Sequence, residues 1–252
     1  DIDVTASGDF DGLMVAGAVG GGSSAGVGVA STVLVHLDTV EGRIGDHAVV
    51  NSAGANGIEV SAKSTEDLIA ITASGGFAST AGVAVSPTIN VLEETTHASV
   101  GRSATFNAQN GLASGVPDAS VIATDDTTIV SVAGSIGGGG TAGVGVGADV
   151  LSLTKDTQAY IDSGVTSQVD GDIDVSATST EDITSVAAGV SIGGTAGVGV
   201  NAGVHVLDLT TRAYIGDDPE LYIANPDLRT PSAGAGNVHA GDRKSTRLNS
   251  SH

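Results

Sequence analysis

Acidic residues that recur at equivalent places are the side chains of this sequence best suited to bind a metal ion. One group stands at the start of four similar segments and a second group at the first predicted turn of three of them: Asp1, Asp3, Glu59, Asp118, Asp172 and Asp174, then Asp11, Glu66, Asp67, Glu181 and Asp182. Ca²⁺ takes several oxygen ligands from one loop or from stacked loops. The nonapeptide of calcium-binding β-rolls, GGxGxD, is absent, however. We therefore expect these carboxylates to cap turns and to keep the chain soluble, without a cofactor, and Ca²⁺ binding is the alternative.

The basic residues occupy different positions of the repeat, and so do the histidines, although a catalytic or metal centre would need them together. Before residue 242 they are Arg43, Lys63, Arg102, Lys155, Arg212 and Arg229, together with His36, His47, His97, His205 and His239. Polysaccharide lyases and hydrolases require a carboxylate cluster, often with a basic side chain beside it. The chain also has no Cys, and its Ser and Thr residues are spread through every predicted turn. We predict that the protein is not an enzyme, and we assign no catalytic, cofactor-binding or metal site residue.

The composition favours thin β-sheets over a thick globular core. The 252 residues include 38 Gly but only 5 Pro, three Phe, three Tyr and no Trp, and the apolar residues are mainly Ala, Val and Ile. A compact domain of this size normally fills its core with Leu and aromatic side chains. Val and Ile favour strands, and Gly disfavours helices. We therefore expect an all-β protein with closely spaced sheets.

The net charge of −20 excludes several classes of partner. A chain without a basic patch cannot release counterions from nucleic acid, and it is repelled by anionic membrane surfaces. No run of 18 apolar residues predicts a membrane-spanning helix. The opening DIDVTASGDF has neither the basic start nor the apolar segment of a signal peptide and does not begin with Met, so we expect a fragment boundary there.

The main feature of the sequence is a 45-residue repeat. Four blocks align without a gap on the motif SAGVGV, TAGVAV, TAGVGV and TAGVGV; they are residues 1–45, 57–101, 118–162 and 172–216. Connectors occupy 46–56, 102–117 and 163–171, and residues 217–241 hold a longer connector and the start of a truncated fifth repeat. Repeats of this kind stack, so that each repeat contacts its neighbours in the same chain.

The period within each block is two, which predicts strands. In AGVGVNAGVHVL, the residues Val198, Val200, Val204 and Val206 share one face, and we expect them to form a buried ladder. Turns are predicted at the Gly runs 20–22, 75–76, 137–140 and 193–194, and at the Asp/Ser/Thr clusters 7–11, 63–67, 124–128 and 178–182. Each block then contains four strands, and the connector adds a fifth.

The predicted fold is a repetitive β-solenoid, in which equivalent positions stack at about 4.8 Å per rung. Two rungs of roughly 27 residues for each repeat fit the spacing between blocks. The alternative pairs the two long strands of a block as a hairpin around the Gly run, which gives stacked β-hairpin sandwich repeats.

Three segments of the fourth repeat carry a resemblance to a known family. They are GDIDVSATSTEDI (171–183), GGTAGVGVNAGVHVLD (193–208) and TTRAYIG (210–216), and the second block has GIEVSAKSTEDL, STAGVAV and TTHASVG. Most of 1–241 resembles the repetitive passenger regions of Gram-negative filamentous adhesins of the leukotoxin and filamentous-haemagglutinin types. The resemblance implies a right-handed parallel β-helix, secretion by an autotransporter or two-partner route, and a place on the outer cell surface or in the medium. It also implies adhesion to host-cell, matrix or glycan surfaces.

The last segment, 242–252, reads DRKSTRLNSSH and matches the translation of a sequencing-library adapter. It holds Arg243, Lys244 and Arg247, three of the nine basic residues of the chain. We interpret it as an artefact and exclude it from the predicted fold, so that the natural protein is expected to continue beyond it.

The leading hypothesis is therefore a fragment of a large filamentous adhesin, a rod that presents binding loops. Loops on a rigid scaffold carry function, so we place binding on the connectors 46–56, 102–117 and 217–236. One alternative is a structural matrix or surface-layer repeat without a ligand. A carbohydrate-active β-helix enzyme is the third hypothesis, and the scattered basic residues disfavour it.

Overall fold

A computed structural model describes residues 1–53, 57–108, 119–169, 172–217 and 237–251, and each regular element in these ranges is a β-strand. Coil 1 contains β1 (Ile2–Gly22), β2 (Ala25–Val29), β3 (Thr32–Ile44) and β4 (Val49–Ser52). Coil 2 contains β5 (Ile58–Ala78), β6 (Ala81–Val100) and β7 (Thr105–Ala108), and coil 3 contains β8 (Ala119–Gly139), β9 (Ala142–Ile161) and β10 (Thr166–Val169). Coil 4 contains β11 (Ile173–Gly193) and β12 (Ala196–Ile215), and β13 (Asn237–Ser251) begins a fifth coil.

The strands form three parallel sheets, so the protein is an all-β parallel solenoid, as the sequence predicts. Sheet A has the order β1-β5-β8-β11-β13, and sheet B has the order β12-β9-β6-β2, with β3 also paired to β6. The short sheet C has the order β10-β7-β4. Each coil runs through sheet A, then sheet B and then, in coils 1 to 3, sheet C, before the chain enters the next coil.

Each repeat makes one coil, and the prediction of two rungs per repeat is wrong. Ile2 of β1 pairs with Ile58 of β5, Ile58 pairs with Ala119 of β8, and Ala119 pairs with Ile173 of β11. The strands within one repeat belong to different sheets. The hairpin alternative is wrong for the same reason. A spacing of 54 to 61 residues suits two short rungs or one long rung equally, because equivalent positions stack in either arrangement.

The glycine-rich turns lie close to their predicted places, whereas the Asp/Ser/Thr turns do not exist. In coils 2 and 4, β5 and β6 are joined by residues 79–80, and β11 and β12 by residues 194–195. The predicted turns 63–67 and 178–182 lie inside β5 and β11. Their residues keep the inward and outward alternation of a strand, so each block has two long segments instead of the four predicted strands.

The corner between sheets B and C has a left-handed residue in each of coils 1 to 3. These residues are His47, Ser103 and Gly164, with φ of 57°, 55° and 72°. Two backbone hydrogen bonds lie at the corner of coil 2: Gly101 N donates to Ile44 O of coil 1 at 2.8 Å, and Ala104 N donates to Gly101 O at 3.3 Å. The corner turns the chain sharply and starts the third side of the solenoid.

Each coil has an elongated cross-section, and at the end of that cross-section where sheet C lies, three sheets enclose an apolar cluster. It includes Val60, Val121 and Val175 from sheet A, Ile161 from sheet B and Phe106 from sheet C. A second cluster lies further along the long strands, between sheets A and B, and consists of Leu68, Leu92, Ile129, Leu151, Leu153 and Ile183. Burial of these side chains removes apolar surface from water and holds the coils together. We call the first region the three-sheet end.

At the opposite end, near the turns between the long strands, sheets A and B touch through glycine. A Cβ atom added to Gly137 would lie 1.9 Å from Val144 O, and one added to Gly76 would lie 1.9 Å from Val83 O. Real Cβ atoms do not approach a carbonyl oxygen so closely. A Cβ atom therefore does not fit at Gly76 or Gly137, and we call this region of close contact the glycine tip.

The expected buried valine ladder is wrong at the glycine tip. The exposed fractions of Val198, Val200, Val204 and Val206 are 52%, 46%, 52% and 58%. Strand alternation forces these valines outward, because the alternate positions must be glycine or another residue that fits between the sheets. At the three-sheet end, in contrast, the column of Val4, Val60, Val121 and Val175 does point inward.

The backbone of 242–251 continues β13 and runs parallel to β11, with Asp182 beside Ser245. These residues thus take part in the described solenoid, whereas the sequence prediction set them aside. The adapter origin of the segment stays a prediction.

Candidate functional site

The alternation of the strands separates the acidic residues that the sequence singled out. Glu66 and Glu181 are buried, and their neighbours Asp67 and Asp182 are exposed on the outer face of sheet A. Asp3 and Glu59 lie side by side and are exposed as well. Asp118 lies outside the described residues. The predicted acidic groups therefore do not come together at turns, and two of their members enter the interior instead.

Five charged side chains meet inside the solenoid, between the two apolar clusters. They are Glu66, Glu94, Asp125, Lys155 and Glu181, and each is at most 1% exposed. They come from β5, β6, β8, β9 and β11, so the group spans coils 2 to 4. We call these five residues the ionic layer.

The register of the strands brings the layer together. In sheet A, Thr127 stands between Glu66 and Glu181, because it pairs with both. In sheet B, Glu94 stands beside Lys155. Since the two sheets face each other, the carboxylates of one sheet reach the ammonium group of the other.

Lys155 is the positive group of the layer. Its Nζ lies 2.6 Å from Asp125 Oδ1, 3.0 Å from Glu181 Oε1 and 3.6 Å from Glu94 Oε2. It also donates a hydrogen bond of 2.8 Å to Thr127 Oγ1. Burial alone would lower the pKa of Lys155, but the carboxylates, Asp125 first, outweigh burial and raise that pKa above its usual value. Lys155 therefore stays charged.

Hydroxyl groups supply the other hydrogen bonds of the layer. Ser64 donates to Glu66 Oε1, and Thr96 donates to Asp125 Oδ2 at 3.0 Å. Thr127 Oγ1 lies 2.8 Å from Glu94 Oε2 and 3.3 Å from Glu66 Oε2, but its single proton serves one of them at a time. Thr127 therefore cannot satisfy Glu66 and Glu94 at the same time.

Two of the carboxyls titrate near neutral pH. Burial raises the pKa of Glu66 to about 7, and the charge of Asp125 adds to the rise against the hydrogen bond from Ser64. Burial raises the pKa of Glu94 to about 8, with Glu66 as the first charged contributor. The physical cause is the loss of hydration, which disfavours the ionised carboxylate.

A second polar group lies closer to the glycine tip. Asp149 is 1% exposed and accepts hydrogen bonds of 2.5 Å from both Ser131 and Ser185. His205 Nε2 lies 3.2 Å from the same carboxylate. Nearby, the hydroxyl of Thr72 bonds those of Thr32 and Thr88 at 2.9 Å. These contacts join neighbouring coils through their interior.

The outer faces of the glycine tip are apolar. On sheet A, Leu13, Val15 and Val19 are exposed, and a groove of about 440 Å³ is lined in part by Val19, Phe77 and Ile136. On sheet B, the outward valines of β2, β3 and β12 are exposed. Both broad surfaces of this region therefore present aliphatic side chains to water, whereas acidic and hydroxyl residues cover the outer face of sheet A at the three-sheet end.

Glu94, Asp125 and Lys155 were not predicted to meet. The ungapped alignment already places Glu94 and Lys155 at the same position of their repeats, and the structure pairs them. The missing information was which face of each strand points inward. The inward Val60 and Val121 share the parity of Glu66 and Asp125 on their strands, and this parity is the signal that could have found the layer.

The histidines that the structure describes with side chains form no ladder. His97 Nε2 lies 3.1 Å from Asp156 Oδ2 on an outer face, His205 contacts Asp149 in the interior, and His36 stacks on Phe10 with ring centroids 4.0 Å apart. Of the basic residues that the sequence set apart, Lys155 alone among the described ones enters a buried carboxylate cluster. A polymer substrate cannot reach that cluster, because each of its side chains is enclosed.

Comparisons with family models, curated proteins and solved structures found no match. In the described ranges, no helix is long and apolar enough to cross a membrane.

Proposed function

We propose that this chain is a segment of a filamentous surface adhesin, in which the solenoid is a rod that carries binding loops. The observation that supports this proposal most directly is the stacking of one coil per repeat, in register, along sheets A and B. Each additional repeat extends such a stack by one coil without changing its cross-section. A chain with more repeats therefore forms a longer rod, which extends further from a surface.

The described parts of the connectors 46–56, 102–117 and 163–171 form the three short strands of sheet C. The last residues of these strands are neighbours, since Ser52 pairs with Ala108 and Ala108 pairs with Val169. Successive connectors therefore start about 4.8 Å apart along the rod. Residues 54–56, 109–118, 170–171 and 218–236 lie outside the described residues. A row of loops with a common origin can bind a repetitive surface at several points.

The test replaces residues 109–117 with a Gly/Ser segment of the same length. β7 lies outside the replaced segment, so Phe106 keeps its place in the apolar cluster. We expect the melting temperature to stay unchanged and binding to host cells, matrix proteins or a glycan array to fall. Asp67→Asn, on the exposed face of sheet A, is the control and keeps its binding. Unchanged binding in the loop variant would count against the adhesin proposal for this segment.

A structural matrix repeat is the second candidate, and the apolar outer faces of the glycine tip favour it. Contact between such an aliphatic surface and another apolar surface removes both from water and is therefore favourable. If this candidate is correct, the loop variant binds as the parent does, and the protein assembles laterally as its concentration rises. Analytical ultracentrifugation measures that assembly.

A further inference from the structure

One oxygen of the Glu94 carboxylate has no partner in the interior of the solenoid. Oε2 accepts a hydrogen bond from Thr127 and lies near Lys155, but Oε1 is buried and unpartnered within the described part of the chain. The two oxygens belong to one carboxylate, so Oε1 also lies inside the ionic layer. A buried carboxylate oxygen without a donor or a cation carries a large desolvation cost. This atom therefore marks a place that a proton or a bound cation can satisfy.

We propose that Glu66, Glu94 and Asp125 bind one Ca²⁺ ion inside the solenoid. Each of these residues offers a carboxylate oxygen, and the three oxygens all lie within 4.8 Å of one another. Ca²⁺ binds oxygen ligands at about 2.3–2.6 Å, so two ligands on opposite sides of one ion lie about 4.6–5.2 Å apart. The three carboxylates can therefore contact a single ion with little movement of the side chains.

The ionic layer contains more carboxylates than positive groups, and a bound cation would reduce this excess of negative charge. Glu66, Glu94, Asp125 and Glu181 face a single ammonium group, that of Lys155, which lies closest to Asp125 and Glu181. Asp38 adds a further carboxylate at the edge of the layer, where Ser64 Oγ lies 3.4 Å from its Oδ2. Glu66 and Glu94 are thus the carboxylates that Lys155 neutralises least. A divalent ion beside them compensates the excess negative charge.

The chemistry of the ligands selects calcium. The layer offers carboxylate and hydroxyl oxygens, and no sulfur or imidazole lies among its five residues, so it does not suit zinc or copper. Mg²⁺ demands octahedral geometry and usually keeps several waters. A site built from three separate strands inside an enclosed interior suits the larger and more flexible coordination of Ca²⁺.

The burial of the layer predicts how the ion enters. The side chains of Glu94, Asp125, Lys155 and Glu181 have no exposed surface, so the ion enters when neighbouring coils separate or when they first stack. We therefore expect slow exchange, with calcium retained through gel filtration. The proposal does not depend on adhesion, because it concerns the interior of the solenoid.

The test refolds the full chain in millimolar CaCl₂, removes free calcium by gel filtration and measures bound calcium by mass spectrometry. We expect one equivalent per chain, and we expect the melting temperature at mildly alkaline pH to lie about 5–10 °C above that of the protein refolded with EDTA. MgCl₂ should give a smaller shift. Absence of both retained calcium and a shift would overturn the proposal.

Two neighbouring glutamates provide a matched pair of variants. Glu94→Gln removes an interior ligand charge, whereas Glu93→Gln changes the adjacent residue, which is exposed. The calcium-dependent shift should be lost in Glu94→Gln and kept in Glu93→Gln. Glu66→Gln is a second interior variant for the case in which Glu94→Gln fails to fold. An equal shift in the interior and exposed variants would assign the calcium to the acidic surface and contradict the proposal.

Discussion

The three-sheet end and the glycine tip belong to the same coils, yet they are packed in opposite ways. At the three-sheet end, sheets A, B and C stand far enough apart to enclose Phe106, Val121 and Ile161. At the glycine tip, the backbones of sheets A and B touch at Gly137, and the valines of sheet B face water. Alternation along a strand thus fixes the inward set of residues, and the distance between the sheets decides how large they can be.

The ionic layer lies between these two regions, and it shows what an intermediate sheet separation permits. The space accepts side chains as long as Glu94 and Lys155, but apolar residues do not fill it. Charged residues there must be satisfied by one another, by protons or by an ion.

The largest effect should follow the addition of one methyl group at the glycine tip. Gly137→Ala places a Cβ atom 1.9 Å from Val144 O, so sheets A and B must separate locally. We expect a loss of about 4–5 kcal/mol in the free energy of unfolding, measured by denaturant titration. Gly134→Ala is the control, because its nearest neighbour, Thr72 O, would be 3.9 Å away. Equal stability of the two variants would show that the sheets do not touch.

Removal of the buried ammonium should have the next largest effect. Lys155→Met leaves Asp125, Glu94 and Glu181 without their positive partner, and we expect a loss of about 3–4 kcal/mol at neutral pH. Lys63→Met changes an exposed lysine and should alter stability by less than about 0.5 kcal/mol. Thermal unfolding of both variants tests whether the charge of Lys155 holds the layer together. A Lys155→Met variant that is as stable as the parent would show that it does not.

The pH dependence of the metal-free protein tests the layer without mutation. Glu66 and Glu94 have pKa values of about 7 and about 8 in the folded protein, above the ordinary value of 4.5. The stability that their protonated forms contribute is complete below the ordinary pKa and is lost as pH rises through the folded values. In EDTA we expect the free energy of unfolding to fall between pH 5 and pH 8, by on the order of 2–3 kcal/mol. Glu94→Gln should flatten the profile, and a rise over this range in the parent would contradict the account.

The smallest expected effect is the difference in stability between two Val→Ala variants, one at the three-sheet end and one at the glycine tip. Val121→Ala removes buried methyl groups at the three-sheet end and should cost about 2 kcal/mol. Val200→Ala removes them from an exposed position at the glycine tip and should change stability by less than about 0.5 kcal/mol. Chemical denaturation of the two variants measures the difference. Similar costs would indicate that Val200 is covered by protein in solution.

Much of the fold follows from the sequence, since the alignment of the four blocks gives the columns that the strands form. Val60, Val121 and Val175 share a column and lie together in the core. The number of coils per repeat could not be derived, because one long rung and two short rungs give the same columns. The inward parity at the glycine tip was also inaccessible, because hydrophobicity favours burial of Val200, and only the contact between the sheets reverses this.

The candidate site was less accessible to sequence reasoning than the fold. The sequence singles out Glu66 as part of an acidic pair. Glu94 and Lys155, however, can be recognised as part of the site only when it is known that sheet B faces sheet A. A charged residue within a strand is normally assigned to the solvent face, which is correct for Asp67 and Glu93. Contacts between sheets depend on the cross-section of the coil, which a repeat alignment does not contain.

A pair of introduced cysteines tests most directly that each repeat forms one coil with outward valines. The chain has no cysteine, and Val144 of β9 pairs with Val198 of β12. In Val144→Cys/Val198→Cys, the Cα atoms of adjacent strands lie about 4.8 Å apart, within the range for a disulfide. We predict that both thiols react with maleimide in the folded protein and that mild oxidation joins them. Thiols that are protected from maleimide and fail to crosslink would contradict this arrangement.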